Sequence, residues 1–88
     1  MELKDTIDQM LSPDYKERFK AEYAQLKIRI EKLNNFVDRI EKARAKGEQE
    51  PKHDCPLWML KHQITQMNGY LEILEVRARI EYVDLSEE

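Results

Sequence analysis

The sequence predicts an all-α fold: an antiparallel two-helix hairpin with a short N-terminal helix, one domain over residues 1–88, assembled into a homo-oligomeric helical bundle. Three observations lead there. Two apolar seams of matching length both alternate steps of three and four residues, which is the period of a helix face. A polar connection of about ten residues, carrying Gly47 and Pro51, separates them and suits a turn between antiparallel helices. More apolar residues then remain than one partner helix can cover.

The opening "MELKDTIDQML" places Leu3, Ile7, Met10 and Leu11 at helical spacing. They predict a short amphipathic helix over about residues 2–11 that must dock on something to persist. "SPDY" follows as a boundary: Ser12 can cap, Pro13 suits a first helical position, and Asp14 favours the positive helix end.

From there Phe19, Tyr23, Leu26, Ile30, Leu33, Val37 and Ile40 form a heptad pattern, with β-branched Ile30 and Val37 at a-type positions and leucine or isoleucine at d. No proline or glycine interrupts it before Gly47, whose freedom at positive φ suits a helix stop. The helix is expected over about residues 13–46, some 50 Å long at about 1.5 Å per residue. A loop over about residues 47–55 follows. Asp54 or Cys55 can cap the next helix, with Pro56 in its first turn, and that helix is expected over about residues 56–84. Its seam is Leu57, Leu60, Ile64, Met67, Leu71, Leu74 and Ala78. Gly69 lies inside the helix at a cost of about 1 kcal/mol relative to alanine, and so marks a place where another backbone or a ligand comes close.

Pairing the seams leaves a second set of apolar residues. Ile28 lies opposite the first seam, Phe36 flanks it, Trp58 and Met59 flank the second, and Ile73, Val76, Ile80 and Val83 draw an extra stripe. Burial of one such side chain stabilises by roughly 1.5–3 kcal/mol, so this set requires a cover. The N-terminal helix could cover part of the stripe. Association with further copies of the chain is the reading we take, which makes Ile28, Phe36, Ile73, Val76, Ile80 and Val83 oligomer-interface residues. Small size points the same way: a core of this size usually gains from disulfides, metal or self-association, and Cys55 is the only cysteine.

Composition narrows the function. The net charge is −3, so the chain as a whole repels a long polyanion, and binding to long nucleic acid is not expected. A small anion needs only two or three placed cations. No segment has the apolar length of a membrane span and the N-terminal segment does not read as a signal peptide, so a cytoplasmic protein is expected, with its one cysteine reduced. No Gly-rich phosphate loop, nucleophile–histidine pair or paired general acid and base can be picked out, so no catalytic residue and no cofactor is expected. His53, Cys55 and His62 lack a fourth metal ligand, and two of them fall in the loop; no metal site is expected.

A binding site is better supported. Nucleotide-like ligands need aromatic rings or guanidinium planes for bases and cations for phosphates. Tyr15, Arg18, Lys20 and Lys27 lie near the start of the first long helix, and Arg77 and Arg79 near the end of the second. An antiparallel hairpin brings those ends together. The plainer reading makes them surface cations paired at helical spacing with Glu17, Glu22, Glu31, Glu75 and Glu81.

At "YKERFKAEYAQLKIRIEKLNNFVDRI" and, after the loop, "LKHQITQMNGYLEILEVRARI", the chain resembles a group of small helical-hairpin proteins of tailed phages, similar to the anti-CBASS cyclic-oligonucleotide sponges. The resemblance covers nearly everything after Ser12. It implies an oligomer, typically a hexamer, that sequesters cyclic di- or trinucleotide immune signals in the host cytoplasm without cleaving them. It further implies base stacking on Tyr15, a phosphate contact from Lys27 and, at a trinucleotide site, Arg77; Arg18 and Arg79 complete the candidate ligand-binding set. The rival is a helical module whose spare stripe docks a host or phage protein.

Overall fold

The computed structural model describes residues 2–86 and is all-helical, with no strand among the described residues. A 3₁₀ turn (Leu3–Thr6) runs into α1 (Ile7–Met10), followed by α2 (Tyr15–Lys46) and α3 (Leu57–Ile80). α2 and α3 pack along each other as the hairpin, and the molecule is elongated, 49 × 24 × 23 Å.

Local chemistry fixes each boundary. Asp14, rather than Ser12, caps α2: its carboxylate accepts from the Lys16 N–H at 3.0 Å. Ser12 supports the cap instead, its hydroxyl accepting from the Asp14 N–H at 3.1 Å, and Pro13 stays outside the helix. At the far end Gly47 takes φ +69°, and the Glu48 N–H reaches back to the Ala43 carbonyl at 2.9 Å, the left-handed stop that its sequence position predicts. α3 opens differently from expectation. Pro56 stands at the cap position with no side-chain acceptor, so neither Asp54 nor Cys55 closes that end.

α3 also ends at Ile80, short of residue 84. Tyr82 adopts φ +57°, and the Val83 N–H turns back to the Ala78 carbonyl at 2.8 Å, the same reversal built without glycine. This folds the chain end over the hairpin, and Val83, only 7 % exposed, joins Phe19, Leu26, Ile30, Leu74 and Ala78 in one core cluster. Val83 is therefore covered by its own chain and does not continue the spare stripe. A second cluster, Val37, Ile40 and Leu60, lies nearer the loop, with Leu33, Phe36, Leu57 and Ile64 packed around it. Truncating fully buried Leu74 or Ile40 to alanine would cost about 2–5 kcal/mol.

The N-terminal segment docks on α2 and not on α3. Thr6 is fully buried there, donating to the Leu3 carbonyl at 2.7 Å and accepting from the Gln25 amide at 3.0 Å. Gln25 shares its face of α2 with Ala21 and Ile28, both buried, at helical steps of four and three. This face is opposite the α3 seam. Ile28 thus has a cover inside the chain, which removes the premise on which it was placed at an oligomer interface, and α1 leaves the α3 stripe uncovered.

Candidate functional site

Ile73, Val76 and Ile80 are 58 %, 42 % and 70 % exposed, and they share the side of α3 that faces away from Leu74 and Ala78. Gly69 lies in line with them, one turn before Ile73, and a Cβ placed on it would meet nothing within 4 Å. Tyr70 and Met59 are also half-exposed and Trp58 is largely exposed. Phe36 behaves differently from the stripe: it packs against the second cluster, and its ring meets His53 edge-on, centroids 6.4 Å apart at 84°.

The hairpin ends do meet. Arg77 lies over the Phe19 ring with its guanidinium carbon 4.9 Å from the centroid, a cation–π contact across the two long helices. Its Nε and Nη2 donate to Glu81 at 2.8 and 3.3 Å. This pairing holds the Glu81 carboxyl below the usual carboxylate range, with further help from the Tyr15 hydroxyl and the charge of Lys16. Tyr15, 47 % exposed, and Arg77 therefore share one carboxylate at this end. Nearby, Asp84 is held low first by the Ser86 hydroxyl at 2.6 Å and then by the Ser86 N–H, with Lys20 adding a weaker pull.

The other candidate cations divide by position. Arg18 is committed to the local turn, donating from Nη1 to the Ser12 carbonyl at 2.7 Å. Lys27 lies over the Tyr23 ring at 5.6 Å, and Tyr23 donates its hydroxyl proton to Glu75 at 3.2 Å. Lys27 stands twelve residues beyond Tyr15 on the same helix, about 18 Å along its axis. One chain does not place both on one mononucleotide. Arg79 is exposed, and among the described residues it makes no ion pair. Arg77 and Arg79 flank the Ile73–Val76–Ile80 stripe from its two sides.

Sequence spacing already places Glu81 among the partners of these cations, whereas it gives Phe19 no role at this end. Phe19 reads from the sequence as one more seam residue; the antiparallel packing of the two long helices is what brings its ring beneath Arg77. Glu81 is legible as the i+4 partner of Arg77, a spacing that compensates the cation rather than leaving it free.

At the loop, His53 Nδ1 contacts the Cys55 carbonyl oxygen at 2.7 Å and Nε2 contacts Glu50 at 3.3 Å, while Glu50 also takes the Arg44 guanidinium. Among the described residues no three of His, Cys, Asp and Glu converge as a group that could hold a metal, and no helix is long and apolar enough to cross a membrane.

No curated protein and no solved structure matches the sequence significantly. The model of the Sequestin family matches residues 13–80, well over half of the chain, from just before α2 to the last residue of α3. By that match the chain belongs to the Sequestin family.

Proposed function

We propose that this Sequestin-family chain is a phage anti-defence protein that binds and sequesters cyclic di- or trinucleotide immune signals, without cleaving them, in the host cytoplasm. The family name fits a sequestering protein. The observation that carries the reading further is the uncovered stripe of Ile73, Val76 and Ile80, set between Arg77 and Arg79, with Tyr15 near Arg77. Burying the stripe against further copies of the chain, up to a hexamer, recovers roughly 1.5–3 kcal/mol per side chain. It also gathers the cations and tyrosines of several chains around one ligand.

Assembly answers the distance problem. Tyr15 of one copy stacks on a base while Lys27 or Arg79 of another meets a phosphate, and Phe19 stiffens Arg77 between them. Capture depletes the signal by mass action, so activity requires affinity and copy number rather than chemistry. Lys27→Glu is expected to abolish dinucleotide binding with the oligomer intact; an unchanged titration would remove Lys27 from the site.

Native mass spectrometry of the protein, alone and mixed with cyclic di- and trinucleotides, tests the whole reading. Ligand mass on an intact oligomer supports it and identifies the ligand. An oligomer that takes up nothing overturns the sponge, and a monomer with the stripe exposed favours the rival reading, a helical module that docks a protein partner on that stripe.

A further inference from the structure

Two uncovered apolar faces lie at the same end of the hairpin. One is the stripe of Ile73, Val76 and Ile80. The other belongs to α1: Ile7 is 47 % and Leu11 77 % exposed, one helical turn apart, with the Leu11 N–H donating to the Ile7 carbonyl at 3.2 Å and Met10 half-exposed beside them. α1 is amphipathic by sequence, yet it docks through the buried Thr6 and leaves this apolar pair outside.

The two faces are on opposite sides of the molecule. α1 sits on the α2 face of Ala21, Gln25 and Ile28, opposite the α3 seam, while the stripe points away from α2 on the far side of α3. The layers at this end are therefore α1, α2 and α3, with an apolar surface on each outer layer, roughly 20 Å apart across two helix packings. No movement that keeps the hairpin intact brings the two faces of one chain together.

α1 is also held in place before any partner arrives. A single α-helical turn does not persist unsupported. Here Thr6 is bonded to Gln25, the Gln9 amide donates to Glu17 at 3.3 Å, and Arg18 holds the Ser12 carbonyl of the link at 2.7 Å. Less ordering entropy is then lost on association.

A face that meets its own copy makes an isologous contact, and a face that meets a different one makes a heterologous contact, which closes into a ring. Stripe on stripe would cover one face, leave Ile7 and Leu11 in water and set Arg77 and Arg79 near their own copies. α1 on stripe covers both faces with one contact. The signs of charge agree: residues 2–11 hold Glu2, Asp5 and Asp8 against Lys4 alone, whereas Arg77 and Arg79 border the stripe and Glu72 stands at its other end, beside Ile73.

We propose that the subunit contact is heterologous: the Ile7–Leu11 edge of α1 in one copy lies on the Ile73–Val76–Ile80 stripe of the next, around a closed ring. The inference rests on the self-association part of the proposed function and not on its ligand. It gives a role in assembly to a segment outside residues 13–80, the part of the chain that the family model matches.

Complementation between two variants of the full chain tests it, read by sedimentation velocity and native mass spectrometry. Leu11→Glu, at an exposed position, is expected to weaken association about tenfold or more with the circular dichroism unchanged. Val76→Glu disables the other face, so neither variant alone is expected to reach the wild-type assembly. Mixed, they are expected to give a one-to-one heterodimer and nothing larger, because the Leu11→Glu chain still offers its stripe and the Val76→Glu chain its α1. Leu11→Glu chains that assemble to wild-type size would overturn the proposal, and Val76→Glu chains that dissociate in the same experiment would leave the stripe contact itself standing. A mixture that stays monomeric throughout a concentration series would also overturn it. A monomeric wild-type chain would overturn the self-association reading together with the proposal.

Discussion

Arg77 bridges two elements at once: its guanidinium lies 4.9 Å over the ring of Phe19 and its Nε donates to Glu81 at 2.8 Å. The first contact orients the cation and the second compensates it. In the proposed sponge, a ligand phosphate at this end would compete with Glu81 for a guanidinium already in place. Replacing Glu81 by glutamine keeps the length and removes the competitor, so Glu81→Gln is expected to tighten cyclic-nucleotide binding about two- to fivefold, the range of a partly exposed ion pair. Calorimetric titration at fixed salt measures it. Affinity that does not change would place Arg77 away from the ligand.

The stripe makes a separate prediction. Val76 lies between Ile73 and Ile80 on the uncovered side of α3, so Val76→Glu puts a charge in the centre of the proposed subunit contact while leaving Leu74 and Ala78 in place. Helicity by circular dichroism is expected to persist and the sedimentation coefficient to fall, with association weakened about 100-fold by loss of one buried side chain and the burial of a charge. An assembly of unchanged size would move the contact to another face.

Gly69 sharpens this. A helix-interior glycine with open space at its Cβ should become more stable as alanine, by about 1 kcal/mol. Gly69→Ala is therefore expected to raise helix stability in the dilute, dissociated chain and, if the proposed subunit contact brings another backbone against Gly69, to loosen that assembly. Denaturant unfolding at several protein concentrations separates the two effects. Stabilisation with no loss of association would put the interface elsewhere on α3.

The heptad seams were readable because a repeat of threes and fours survives any choice of partner: Leu26, Ile30, Leu60 and Leu74 are buried where their spacing puts them. What the period cannot report is which of two apolar faces a short docking segment selects. The sequence makes α1 amphipathic, yet its choice of the Ala21–Gln25–Ile28 face depends on the Thr6 hydroxyl meeting the Gln25 amide, a contact nineteen residues apart. The burial of Val83 is hidden from the sequence for a related reason. A reversal normally announced by glycine is made here by Tyr82, so the stripe seems to run on when the helix has already ended.

The loop is expected to make the hairpin pH-sensitive. His53 titrates above its ordinary value of about 6.5, first because its Nδ1–H donates to the Cys55 carbonyl and next because Glu50 faces its other nitrogen; the Arg44 charge opposes the shift. A group whose folded pKa is raised stabilises fully below its unfolded value, and that contribution disappears as pH rises through the folded value. Glu50, held low chiefly by Arg44, stays ionised throughout this window and does not reverse the sign. The melting temperature is thus expected to fall as pH rises from about 6 to about 8, and the fall to be smaller in His53→Asn. Thermal melts of both proteins in matched ionic strength provide the comparison. Parallel curves would mean that the imidazole's proton does not hold the loop, and that Pro56 and the Phe36 ring fix the entry to α3 without it.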